Sequence, residues 1–339
     1  MPEGHSVHRI ARQFAEHFVG HTVRASSPQG RFAAGAAKID GRVMTDARAV
    51  GKHMFLEFGG GDWLRVHLGM YGAWDFTGDV TVSATATLAD DDAEGAEGRS
   101  DDDSGDGSPD RSAGSPIIDA AAEDSLHSIG APRRTRLRMA EREKQGEDID
   151  VFPPEPIGQV RVRLLTESSC ADLRGPTACE VITADEVAAV IARLGPDPLV
   201  DSPEEGEERF TAAVRRRATP IGVLLMDQSI VSGIGNIYRA ELLFRAGLDP
   251  HTPGKQVPED LVRELWRDWT RLLVDGVRVG QMMTMDGLDE EAYRRALVHR
   301  DDRHWVYHRA GLPCRVCGTN IAMELVAGRK LYWCPVCQT

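Results

Sequence analysis

The feature that most constrains this chain lies near its end: Cys314-x2-Cys317-x16-Cys334-x2-Cys337. Two Cys-x2-Cys knuckles at this separation supply four thiolates for one tetrahedral ion, the arrangement of zinc ribbons and fingers. A pair of redox dithiols is the competing reading, but it gives no reason for the hairpin-like stretch Ile321–Trp333 between the knuckles. With four Cys ligands no coordination position is left for water, so the expected zinc organises the chain and performs no chemistry. Cys170 and Cys179 stand outside the pattern and read as buried thiols.

The formal charge of -13 is unevenly distributed. Residues 79–156 hold 20 acidic and 8 basic side chains, a net of -12, which leaves -1 for the other 261 residues. Residues 303–339 run the other way, with Arg303, Arg309, Arg315, Arg329 and Lys330 against Glu324 alone. Patch charge decides which partner a surface attracts, so the acidic total does not exclude nucleic acid. No run of 18 apolar residues and no basic-then-apolar leader is visible, which points away from membranes and secretion and toward the cytoplasm.

At 339 residues the chain exceeds one ordinary core, and two domains are expected. Val7, Ile10, Ala11, Phe14 and Phe18 fall at helical spacing and stop before Gly20. Short strand signals follow around Thr22–Ala25, Val43–Val50, Met54–Phe58, Trp63–Leu68 and Gly72–Phe76. Residues 90–124 carry 13 acids and two arginines in an Asp, Ser and Gly run, too polar to offset the entropy of ordering, so 79–156 reads as a disordered insertion. Strands resume at Val160–Leu165 and Thr177–Ile182, and Thr183-x-x-Glu186 forms a capping box that opens a helix ending near Gly195. Beyond that the pattern is helical: Phe210–Arg217, Ile221–Gln228, Ile237–Ala246 and Leu261–Val274.

Two further segments can carry chemistry. The turn Gly233-Ile234-Gly235-Asn236 lies between helical stretches, where backbone amides at a helix start can bind an anion, or simply make a tight turn. At the other end, an initiator Met before proline is usually removed, which makes Pro2 a secondary amine at the positive end of the first helix. Such an amine is a nucleophile, and Glu3 beside it can transfer protons. Gly328-Arg329-Lys330 at the hairpin tip offers a forked donor that suits phosphate.

Together, Met1-Pro2-Glu3-Gly4, Gly51-Lys52-His53, His67-Leu68-Gly69-Met70-Tyr71-Gly72, Gly233–Tyr238, and Gly328-Arg329 with Cys334-Pro335-Val336-Cys337-Gln338 resemble the formamidopyrimidine-DNA glycosylase and endonuclease VIII family. The likeness covers 1–78 and 157–339 and leans toward the endonuclease VIII branch. It implies an α+β protein: an N-terminal helix and β-sandwich catalytic domain (1–78 and 157–200), a helix-two-turns-helix domain (205–300) and a zinc finger (301–339), with DNA in the cleft between them.

It also implies a base-excision repair enzyme, a DNA glycosylase and abasic-site lyase. Pro2 would attack the sugar carbon of a damaged nucleotide and form an iminium; Glu3 would assist ring opening; Lys52 and Arg329 would support catalysis. Asn236 and Arg329 would grip phosphates, Met70 and Tyr71 would fill the gap left in the base stack, and His67 would support that loop or touch backbone. The zinc ligands would be Cys314, Cys317, Cys334 and Cys337. The implied partner is double-stranded DNA with a damaged base or abasic site, handled by a monomer in the cytoplasm beside the nucleoid.

The chain departs from the family at His5 and Ser6, where Pro and Glu are common, and at Cys170–Gly175, where the guanine-specific branch carries an Arg-Arg-Phe-Gly loop. The expected substrates are therefore oxidised pyrimidines. Oxidised purines, or a zinc protein that binds damaged DNA without catalysis, are the alternatives.

Overall fold

The structure is a computed structural model that describes residues 2–80, 128–130 and 152–339. The order is α1 (Gly4–His17), β1 (Thr22–Ser26), α2 (Ala33–Ile39), β2 (Arg42–Val50), β3 (His53–Phe58), β4 (Asp62–His67), β5 (Ala73–Gly78), β6 (Ser128–Ile129), β7 (Val160–Leu165), β8 (Ser169–Arg174), β9 (Ala178–Thr183) and α3 (Ala184–Ile191). Then come α4 (Pro203–Arg215), α5 (Ile221–Leu224), α6 (Asn236–Arg245), α7 (Glu259–Val279), α8 (Glu290–Val298) and the hairpin β10 (Ala322–Val326) and β11 (Arg329–Trp333).

Nine strands run in the order β6-β5-β8-β7-β1-β2-β3-β4-β9, all neighbours antiparallel. The β1–β2 junction is only two residue pairs long, so the sheet folds there into two layers. Alternate residues of both layers meet in one core, with Met54, Leu56, Leu64 and Val66 from one and Trp74, Phe76, Leu164 and Leu173 from the other. Val7, Ile10, Phe14 and Phe18 of α1 complete that core, as their helical spacing predicts. The opposite face of β3 and β4, with Phe55 and Trp63, is covered by Val187 and Val190 of α3. Thr183 and Glu186 form the expected reciprocal capping box.

A second core gathers α4 to α7 around Trp266, Trp269, Leu272 and Leu242, and a third, with Phe244, Val306 and Tyr332, seats the zinc hairpin on α6. The α+β architecture with a helical second unit and a four-cysteine hairpin is thus the one the sequence implies.

Helix α1 begins at Gly4 with Glu3 as its N-cap, almost at the first residue as the apolar spacing from Val7 implies. Several local expectations are corrected. The segment Ser169–Arg174 is a central strand paired with both β5 and β7, although no strand is expected there from its sequence. The helix expected over Ile221–Gln228 stops at Leu224 and continues as turns. Helices α2 and α8 have no counterpart in the sequence reading: α2 is only seven residues long, too short for periodicity to mark. Most of the expected disordered insertion over 79–156 lies outside the described residues. Within it, Ser128–Ile129 pairs with Asp75 and Trp74, and Ile129 is buried in the first core, so this piece belongs to the sandwich.

Candidate active site

The site grows from the contact between the start of α1 and the start of α6. Gly4 N donates to Gly233 O (2.9 Å), which brings the two helix starts together. The Glu3 carboxylate, fully buried, turns away from its own helix and accepts from the amides of Gly235 (2.8 Å), Ile237 (2.9 Å) and Tyr238 (3.4 Å). The anion held by the Gly-x-Gly turn is therefore this carboxylate, at the positive end of α6. Glycine is required for steric reasons: a Cβ on Gly235 would lie 2.3 Å from Glu3 Cδ, and Gly233 has φ +90. No side-chain hydrogen bond caps α1, and Pro2, which precedes its N-cap Glu3, is buried.

The same turn receives Lys52. The turn Gly51-Lys52 joins β2 to β3, and Lys52 Nζ donates to Ile234 O at 2.6 Å. Burial pushes the Lys52 ammonium down to about 8; Glu3 opposes the shift and Arg329 adds to it. Lys52, Glu3 and Arg329 are thus close enough to sense one another.

Asn236 opens α6 and points at the zinc hairpin. Its Nδ2 donates to Lys330 O (2.8 Å), while its Oδ1 accepts from Arg239 Nη2 (2.5 Å), which also reaches Lys330 O. The side chain assigned to phosphate by resemblance is thus engaged in fixing the residue next to Arg329. Arg329 itself, first in β11, is exposed beyond a turn in which Ala327 and Gly328 both have positive φ. Burial, with Arg329 nearby, lowers the Arg239 guanidinium to about 10.

The four cysteines come together as expected. Their sulfurs all lie within 4.8 Å of one another, with Cys314–Cys337 at 3.9 Å and Cys317–Cys334 at 3.4 Å. Tetrahedral bonds of about 2.3 Å place thiolate sulfurs roughly 3.8 Å apart, so the set fits zinc. Amides of Val316 and Cys337 donate to Cys314 and Cys334 Sγ, as thiolates in knuckles require. Zinc held by these four thiolates would brace the hairpin that Phe244, Tyr332 and the Asn236–Lys330 hydrogen bond seat against α6.

His67 ends β4 opposite His53, their rings 4.9 Å apart. Burial first, then Lys52 and Arg65, lowers the His67 pKa. Met70 and Tyr71 are 51 % and 68 % exposed on the following loop.

Sequence reasoning missed four contributors. Tyr307 packs against Tyr332 and His308 near Asn236, its phenol pushed up to about 12 by burial and by Glu3. Arg239 is a fully buried arginine that its helical pattern marks as an ordinary surface position. Gln228 Nε2 caps Ile234 O (3.0 Å), the acceptor of Lys52, and its Oε1 accepts from Gly233 N. Asp197, buried in the interdomain linker, bonds to both His8 and Gly51 N. Only Asp197, in Gly195-Pro196-Asp197-Pro198, carries a local hint, because such residues mark turns.

Comparison with known proteins agrees with this geometry. Residues 1–102 match the formamidopyrimidine-DNA glycosylase N-terminal domain, 194–286 its H2TH domain, and 311–339 the zinc finger found in FPG and IleRS. The chain belongs to the formamidopyrimidine-DNA glycosylase and endonuclease VIII family, and it is a DNA glycosylase of base excision repair, of the class that also carries abasic-site lyase activity. Among its relatives, Endonuclease 8 1 of Mycobacterium tuberculosis is 38% identical over 341 residues, covering 100% of both chains. Formamidopyrimidine-DNA glycosylase of Thermus thermophilus is 37% identical over 152 residues, 44% of this chain and 55% of that one. The fold is shared with the MutM (Fpg) protein of Thermus thermophilus (TM-score 0.63, 23% identity, 99% and 98% coverage). It is shared equally with Lactococcus lactis Fpg in complex with an N7-benzyl-Fapy-dG containing DNA (TM-score 0.65, 18% identity, 100% of both chains).

Proposed function

We propose that this protein, acting as a monomer on chromosomal DNA in the cytoplasm, excises oxidised pyrimidines and cleaves the strand at the resulting abasic site. The Pro2 nitrogen attacks C1′ of the damaged nucleotide and the base departs with the electrons of the N-glycosidic bond. Proton transfer at Glu3 helps the sugar ring open to an iminium. Loss of a proton from C2′ then expels the 3′ phosphate, and a second elimination releases the 5′ phosphate. Lys52 and Arg329 hold phosphates flanking the site, Asn236 fixes the hairpin that carries Arg329, and Met70 with Tyr71 fills the vacated stack.

The observation that carries this reading is the Gly233–Asn236 turn. One four-residue loop clamps Glu3, receives Lys52 and, through Asn236, pins the zinc hairpin. Binding damaged DNA alone needs no amine at Pro2 with a carboxylate and a lysine beside it, so Pro2, Glu3 and Lys52 together favour an enzyme over a binder. The pyrimidine preference rests on the sequence Cys170-Ala171-Asp172-Leu173-Arg174-Gly175, which stands where, by resemblance, the guanine-specific branch carries an Arg-Arg-Phe-Gly loop. The full-length likeness to an endonuclease 8, against partial likeness to formamidopyrimidine-DNA glycosylases, supports the same choice. Activity on duplexes that each hold one defined lesion tests it; faster excision of oxidised purines overturns the preference while leaving the chemistry intact.

Because burial holds Lys52 near 8, the charge it needs to grip phosphate is present below that pH and lost above it. In the free enzyme kcat/KM is expected to fall as pH rises through about 8, and Lys52→Arg should move that limb upward, since guanidinium stays charged. A wild-type profile flat through that range contradicts a cationic role for Lys52.

Salt should weaken DNA binding steeply, with a log-log slope of about -0.9 per neutralised phosphate. Arg329→Ala should flatten the slope by about one unit or less and weaken binding to every sequence alike. A slope near zero in the wild type argues for a protein partner in place of DNA.

A further inference from the structure

Position 6, where the family commonly has Glu, is Ser6 here, buried with its Oγ 3.2 Å from His5 Nε2. A buried carboxylate nevertheless reaches α1, from elsewhere in the chain. Asp197, fully buried in the linker between the sandwich and the helical unit, places Oδ2 2.9 Å from His8 Nε2 and accepts Gly51 N at 2.6 Å on the same oxygen. Its Oδ1 accepts from Leu199 N (2.9 Å). A carboxylate only accepts, so His8 carries its proton on Nε2 and donates.

We infer that the His8–Asp197 pair is a positioning element for the reaction, which holds the Gly51-Lys52 turn in register with the Pro2-Glu3 end of α1. His8 lies on the helix that presents Pro2 and Glu3, and Gly51 immediately precedes Lys52; one oxygen joins them. The linker that brings this oxygen is itself stitched to the helical unit. Gly195 N donates to Gln228 O (2.8 Å), Ser232 N to Pro196 O (3.0 Å) and Ser232 Oγ to Gly195 O (2.8 Å). Gly51, at φ +58, is wedged on its other side, since a Cβ there would lie 2.9 Å from Ser232 Cβ. Lys52 and Gln228 both end on Ile234 O, so a displaced Gly51 moves the ammonium relative to Glu3. Neither His8 nor Asp197 belongs to the set that meets DNA or the sugar; both act through Lys52 and the start of α1.

The inference rests on the reading of Pro2 as nucleophile with Lys52 beside it, and the experiment separates the two. Borohydride trapping on an abasic-site duplex is run under single-turnover conditions, alongside DNA affinity and thermal melting, for wild type, His8→Leu, His8→Gln, Asp197→Asn and Pro2→Gly. Misplacement of a supporting group can cost up to about 100-fold, so His8→Leu should form adduct roughly 10- to 100-fold more slowly, with affinity within about twofold of wild type. The amide nitrogen of glutamine falls near the position of His Nε2, so His8→Gln should recover to within about threefold. Asp197→Asn, which places an amide N–H against the Leu199 amide, should also slow trapping and provides a second reading if His8→Leu fails to fold. Wild-type rates in the folded variants, glutamine no better than leucine, or affinity lost in proportion to rate each overturn the inference. Undiminished adduct with Pro2→Gly overturns the assignment of the nucleophile instead, whatever the His8 variants do.

Discussion

Retention of Met1 is expected to abolish both borohydride-trapped adduct and strand cleavage, because Pro2 nitrogen then sits in an amide whose lone pair is delocalised. Pro2→Gly, which replaces the secondary amine by a primary one on a freer backbone, should lower both by several orders of magnitude, about 1,000-fold or more. DNA affinity should change little in either case, since the phosphate contacts proposed for Lys52 and Arg329 lie on other elements. Asn236→Ala should cost much less than loss of the nucleophile, because it loosens the hairpin without removing a reacting atom. Gel assays of cleavage and trapping check the order. Wild-type trapping with Met1 retained excludes Pro2 as the nucleophile.

Removal of zinc has the second largest expected effect. Four clustered thiolates repel one another without the ion, and structural zinc contributes about 10–16 kcal/mol of apparent binding free energy in small peptides. Cys334 is fully buried and Cys314 nearly so, both in the third core against Phe244 and Tyr332. Cys334→Ser, or chelation, should disorder β10 and β11 and release Lys330 O from Asn236. Arg329 would then lose its place, and DNA affinity should fall while the sandwich stays folded. Elemental analysis should give one zinc per chain. No zinc in the wild type, or normal DNA affinity for the Cys334→Ser variant, contradicts the role given to the finger.

What could be read from the sequence was whatever has a short-range signature. The Cys knuckles, the capping box at Thr183, the short strand signals from Val43 to Phe76 and the helical pattern of α7 each depend on spacing within a few residues, and each stands in the structure. Strand β8 was hidden because Ser169–Arg174 carries Asp172 and Arg174, which pair with Arg163 and Asp75 on neighbouring strands; a buried ion pair looks polar until its partner is known.

The site divides in the same way. Pro2, Glu3, Lys52 and the zinc ligands were named from motifs, yet the anion bound by the Gly-x-Gly turn is Glu3, 232 residues away in the chain. Asp197 with His8, and Asn236 with Lys330, are likewise contacts across long sequence separations. Their partners are set by packing of the linker and the zinc hairpin, which no local pattern encodes.

The central claim is that the Pro2 nitrogen is the atom that attacks DNA. Mass spectrometry of the borohydride-reduced adduct after proteolysis measures this directly. The account predicts the sugar remnant on the amino-terminal peptide, at Pro2, with the Lys52 peptide unmodified. A remnant on Lys52, or on any internal lysine, contradicts it.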